Sequence, residues 1–262
     1  MGNTAMTVLG FSVIFLATTL GSAVVWFFKK DISQKVNTLF LGFASGIMVA
    51  ASVWSLLIPA LEGAGSWEKL SFVPAVCGFL LGGAFLVLLD HILPHVHQGT
   101  QEEEGPRVAL SKPVKMFLAV TLHNIPEGLA VGFAFGGAAA AGESGAFVSA
   151  LALAVGLAIQ NFPEGVAVSL PMKGLTGSRG KAFLYGTASG AVEPVFALVG
   201  YFLAAALTAL QPWFLSFAAG AMIFVVAEDL IPESHIAEQP HLGTWGDMFG
   251  FAVMMVLDGA LG

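Results

Sequence analysis

The chain of 262 residues is 56% hydrophobic and 10% charged, with a mean hydropathy of +0.84. That composition belongs to a membrane protein and excludes an ordinary water-soluble domain. A formal charge of −7 says little about partners when most of the surface faces lipid, and the single cysteine, Cys77, permits no intrachain disulfide.

Apolar runs of about 20 residues read as transmembrane helices. Eight can be cut: 5–28, 36–61, 70–93, 114–137, 145–171, 181–209, 212–231 and 244–261. The expected fold is therefore an all-α membrane protein, one polytopic domain over 1–262. The first run lacks a preceding basic region and is too long for a signal sequence, so it reads as a mature helix. The eighth carries the weakest signal, because Asp247 and Asp258 flank a short apolar stretch.

Basic residues set the orientation. Lys29, Lys30 and Lys35 follow span one, Arg107, Lys112 and Lys115 follow span three, and Lys173, Arg179 and Lys181 follow span five. Lys69, after span two, stands alone. The positive-inside rule makes the odd-numbered loops cytoplasmic, including the long one at 95–113, and puts both termini outside.

Spans four and five each carry a polar motif. His123-Asn124-Ile125-Pro126-Glu127-Gly128 is echoed by Gln160-Asn161-Phe162-Pro163-Glu164-Gly165. Ionisable groups at membrane depth are costly and mark functional paths. Positions i and i+4 stack on one helix face about 6 Å apart, so His123 lies over Glu127 and Gln160 over Glu164. Asn124 and Asn161 fall on the neighbouring edge. Pro126 and Pro163 should kink their helices, and Gly128 and Gly165 should let the two helices approach closely. One imidazole, two carboxylates and three amides form a ligand set for zinc or its first-row neighbours. The plainer alternative is a polar seam in which His123 and Glu127 simply pair.

Span six holds Glu193 just before Pro194. Read alone, it is either a lone acid bonded to helix-end carbonyls or a further ligand. Asp90 and His91 end span three, and Glu228, Asp229 and His235 end span seven, all on the cytoplasmic side. With His95 they form a candidate exit path. His95, His97, Glu102 to Glu104 and His241 fall in loops, as a metal-catching tract or as ordinary solvated polarity.

Other chemistries lack their motifs. No His-Glu-x-x-His helix is present for an intramembrane metalloprotease, and no G-x-x-x-x-G-K-[ST] loop for an ATP-driven pump. A di-iron bundle needs Glu then His at i, i+3, whereas this chain has His then Glu at i+4. A carboxylate-lined, selective divalent-cation channel remains the alternative to a carrier.

The tandem His-Asn-x-Pro-Glu-Gly and Gln-Asn-x-Pro-Glu-Gly motifs resemble the paired signature of the ZIP family of divalent metal (zinc and iron) transporters, in its small bacterial branch. The resemblance implies a 3+2+3 arrangement with spans 1–3 and 6–8 as inverted repeats. Ala44-Ser45-Gly46-Ile47-Met48 with Leu57-Ile58-Pro59 does echo Ala218-Ala219-Gly220-Ala221-Met222 with Leu230-Ile231-Pro232. It further implies a first metal position at His123, Glu127, Gln160 and Glu164, with Met48 as an added thioether. A second position would use Asn124, Asn161 and Glu193, bridged by Glu127 and Glu164. Some relatives carry Asp where this chain has Asn161, which lowers the charge of that position.

The resemblance makes spans 1, 4, 5 and 6 the moving, metal-carrying unit and spans 2, 3, 7 and 8 the scaffold and homodimer surface. The expected protein is a non-enzymatic carrier in the bacterial cytoplasmic membrane. Its cargo is Zn²⁺, with Fe²⁺, Mn²⁺, Co²⁺ and Cd²⁺ as candidate competitors. Membrane lipid is an expected partner, nucleic acid is not, and no prosthetic group is expected.

Overall fold

A computed structural model of the protein describes residues 1–27, 33–96, 103–106, 108–235 and 240–261, without the side chains of residues 66, 95–96, 103–104, 112, 240 and 261. Almost all of it is helix. Eight helical stretches follow one another: α1 (Asn3–Trp26), α2 (Gln34–Gly63), α3 (Trp67–Ile92), α4 (Lys112–Ala141), α5 (Ser144–Thr176), α6 (Arg179–Ala206), α7 (Thr208–His235) and α8 (Pro240–Leu261). Among the described residues the first seven are long and apolar enough to cross a membrane. The 22-residue α8 carries Asp247 and Asp258.

Helix is the form that satisfies every backbone group of an apolar run in lipid. Gly142 and Gly177, with φ of 72° and 63°, take the left-handed conformation that closes α4 and α5. Ser33 and Ser178 accept from backbone N–H groups to open α2 and α6. The helices outrun the apolar segments, and His241, expected in a loop, sits in the first turn of α8. In the expected loop 95–113, strands β1 (His95–Val96) and β2 (Glu103–Glu104) pair antiparallel, with His95 opposite Glu104. His97 and Glu102 lie outside the described residues.

In α2, α6 and α7 the helix changes pitch or breaks beside a proline. In α2 a π-helical stretch, Ser52–Leu57, precedes Ile58-Pro59, and in α7 Val226–Leu230 precedes Ile231-Pro232. Each proline lacks an N–H and crowds the preceding turn, so a wide turn absorbs the mismatch. α6 breaks at Ala191, between Arg179–Gly190 and Val192–Ala206. Glu193 and Pro194 thus occupy the first turn of a fresh helix. That end of the helix dipole favours a carboxylate, and proline's missing N–H is no loss there.

The helices gather in two groups. α1, α4, α5 and α6 pack on one another, chiefly as α4 on α6 and α1 on α5; α2 packs on α8 and α3 on α7, with α2 also touching α7. The groups meet where α4 contacts α7 and where α5 contacts α2 and α8. Small residues make the close pairs possible: Gly132 abuts the Ala197 carbonyl, Gly42 that of Gly243, and Gly82 that of Phe217. One apolar core runs through both groups, from Ile14, Phe135 and Leu157 to Met48, Leu56 and Met222.

Candidate metal centre

The polar residues of α4, α5 and α6 meet in the interior, where Asn124, Glu127, Gln160, Asn161 and Glu193 are fully buried. They form a chain of hydrogen bonds. Gln160 Nε2 donates to Glu127 Oε2 at 2.7 Å and also to Asn161 Oδ1. Asn161 Nδ2 donates to Glu193 Oε2 at 2.6 Å, and the hydroxyl of Thr18, on α1, donates to Glu193 Oε1 at 3.0 Å. Asn124 Nδ2 donates to the Ser189 carbonyl of α6 at 3.0 Å.

Among the described residues, four oxygens in this region have no hydrogen-bond partner: Asn124 Oδ1, Glu127 Oε1, Gln160 Oε1 and Glu164 Oε2. Buried acceptors left in that condition are costly unless a donor or a cation meets them. All four are hard oxygen donors of the kind that divalent cations take.

His123 behaves differently from its expected partner. Its Nε2 stands 3.0 Å from Asp229 Oδ2 of α7, across the boundary between the two helix groups. A cleft opens there. His123, Pro163 and Glu164 line it on one side, Ala44, Asp229 and Leu230 on the other, and half-buried Asn37 and Glu233 line it as well. Met48 follows Ala44 by one helical turn on the same face and is buried in the apolar core. Among the described residues no three His, Cys, Asp or Glu side chains converge in metal-holding geometry. The amides of Gln160 and Asn161 occupy Glu127 and Glu193, while His123 turns to Asp229.

Of the candidate exit residues, Asp229 and Asp90 are buried, whereas His91, Glu228 and His235 are exposed. His91 Nδ1 is 2.7 Å from the Val87 carbonyl, and His235 Nε2 is 3.2 Å from the Thr244 hydroxyl. His95 enters through its backbone alone. Asp229 is in direct contact with a motif residue, His123.

The motif glycines do not face each other, as the sequence had suggested. A Cβ on Gly128 would lie 2.5 Å from the Glu193 carbonyl, and one on Gly165 would lie 2.1 Å from the Thr18 carbonyl. Each therefore brings its helix against a different neighbour, α6 or α1. Sequence reasoning also missed Thr18. The signal was available in α1, whose buried positions Met6, Gly10, Ile14, Thr18 and Ser22 recur every fourth residue with a polar end.

A bundle of apolar helices that buries carboxylates and amides at its centre, with His123 and Glu164 lining a cleft, has the features of a membrane transporter of cations. The family model described as ZIP Zinc transporter matches residues 114–258. Similar proteins include Zinc transporter ZIPB of Bordetella bronchiseptica, 39% identical over 97% of this chain and 81% of its own length. Zinc transporter GufA of Myxococcus xanthus is 37% identical over 94% of this chain and 95% of its own. Zinc transporter ZIP11 of Xenopus tropicalis is 36% identical over 98% and 97%. The chain belongs to the ZIP family of zinc transporters, and it is a multi-pass membrane protein and not an enzyme.

Proposed function

We propose that this ZIP protein carries zinc into the cytoplasm by alternating access, through a metal centre between α4, α5 and α6. The observation that carries the reading is the run of unpartnered oxygens from Asn124 to Glu164, beside a cleft that opens between two helix groups. The cation passes from Glu127 and Gln160 to His123 and Glu164, then past Asp229 to Asn37 and Glu233. Those two residues lie at the start of α2 and the end of α7, the side that the basic loops assign to the cytoplasm.

The two helix groups supply the parts that alternating access needs. α1, α4, α5 and α6 move as one body against α2, α3, α7 and α8, the second group being the scaffold and homodimer surface. Inverted repeats of α1–α3 and α6–α8 around α4 and α5 fit the packing: exchanging the repeats turns the α1–α5 contact into α6–α4, and α2–α8 into α7–α3. The matching π-helical turns before Pro59 and Pro232 fit it too. A second recess at the opposite end, lined by Ser55, Glu62, Gln211 and Asp258, serves as the entrance.

Uptake of Zn²⁺ into proteoliposomes, with Fe²⁺, Mn²⁺, Co²⁺ and Cd²⁺ as competitors, tests the reading. Saturable uptake with slow turnover is expected, with first-row ions and Cd²⁺ competing. A flux that rises linearly with zinc and conducts current would establish the channel instead.

A further inference from the structure

The centre described above draws on α4, α5 and α6, yet its most remote carboxylate is also held from α1. Thr18 is fully buried, and its hydroxyl donates to Glu193 Oε1 at 3.0 Å, with a longer 3.4 Å contact to the Ile14 carbonyl of its own helix. Asn161 uses its amide in the same way, at 2.6 Å to Glu193 Oε2 and 3.4 Å to the same Ile14 carbonyl. The carboxylate is gripped by one donor on each oxygen, from two different helices. Both grips are anchored on one turn of α1.

That turn is fixed tightly against its neighbours. A Cβ on Gly165 would meet the Thr18 carbonyl at 2.1 Å, and a Cβ on Gly190 would meet the Thr18 Cβ at 2.7 Å. Gly165 closes the second motif, and Gly190 is the last residue of α6 before the break at Ala191 that puts Glu193 at a helix start. Thr18 thus touches α5 through its backbone and α6 through its side chain, and it reaches the carboxylate through its hydroxyl. Neighbours that hydrogen-bond a ligating carboxylate fix its direction and tune the affinity of the site.

We infer that Thr18 is a positioning residue for Glu193: its hydroxyl holds the carboxylate in the orientation from which the second metal position is served, and so sets affinity and metal preference. This rests on the reading of Glu193 as a group serving the metal path. The hydroxyl acts through Glu193, while the methyl group of Thr18 only fills space beside Gly190.

The two halves of the side chain can be tested apart. Thr18→Val keeps the shape and removes the donor, whereas Thr18→Ser keeps the donor and removes the methyl group. Zn²⁺ and Cd²⁺ uptake by both variants, by Glu193→Gln and by the Thr18→Val/Glu193→Gln double variant is measured in proteoliposomes. Thr18→Val is expected to raise the KM for Zn²⁺ roughly tenfold and to shift the zinc-to-cadmium ratio. Thr18→Ser should stay near the parent, and Thr18→Val should add nothing to Glu193→Gln.

A Thr18→Ser protein as impaired as Thr18→Val, or effects that add in the double variant, would overturn the positioning role. A shifted KM in Glu193→Gln beside a parental KM in Thr18→Val would also overturn it, leaving the metal assignment standing. Parental KM values in both single variants would remove Glu193 from the metal path and the role of Thr18 with it.

Discussion

His123 Nε2 and Asp229 Oδ2 stand 3.0 Å apart, joining α4 of one helix group to α7 of the other. The proposed carrier must break and remake contacts along that boundary as it cycles. This pair therefore links the position of a motif residue to the relative position of the groups. Asp229 also lines the cleft, so it is both a partner of the imidazole and a wall of the proposed route out.

Asp229→Asn keeps the shape of the side chain and removes its charge. Zinc uptake at matched expression is expected to fall roughly tenfold, the usual scale when the outer partner of a ligating imidazole is lost. Zinc binding to the purified protein should persist, because the residues of α4 and α5 are untouched. Parental uptake would take Asp229 off the route.

Glu127 and Glu164 each hold one unpartnered buried oxygen, Oε1 and Oε2 respectively. Replacing either by Ala should abolish transport and leave a folded, membrane-inserted protein. Uptake and size-exclusion behaviour are measured together. Normal transport by Glu164→Ala would remove the basis of the site assignment.

Gly128→Ala tests the close contact of α4 with α6. The added Cβ would lie 2.5 Å from the Glu193 carbonyl, so one helix must shift. Overpacking of this kind costs about 1–3 kcal/mol. A lower melting temperature and reduced uptake are expected together, because the shift falls on the residue that carries the buried carboxylate. Unchanged stability would mean that the two helices separate freely there.

The membrane class and the helices were legible because apolar length and composition are local properties. The polar motifs were legible for the same reason: six residues in a row, twice, in runs otherwise almost free of charge. What could not be read was partnership across the fold. Thr18 and Glu193 are 175 positions apart, so no local spacing connects them. His123 was expected over Glu127 by helical periodicity, yet that rule places side chains on a face without saying which neighbour they choose. The break at Ala191 was hidden in Gly190-Ala191-Val192-Glu193-Pro194, where proline starts a helix as readily as it kinks one.

The two proposed metal positions separate most cleanly at His123 and Glu193. Glu193 is fully buried and accepts from Thr18 and Asn161, one on each oxygen. Glu193→Gln keeps the shape of the side chain and an oxygen that can still accept from Asn161. The network survives with less charge, so one bound metal and part of the transport should remain, with rate or selectivity changed. His123→Ala has no such remedy. It removes the imidazole nitrogen and with it the contact to Asp229 across the group boundary, and it widens the cleft. Its uptake should fall far below that of Glu193→Gln. Metal content and zinc uptake of the two purified variants decide the ranking. A dead Glu193→Gln beside an active His123→Ala would reverse the order of the two positions while leaving the protein a metal transporter.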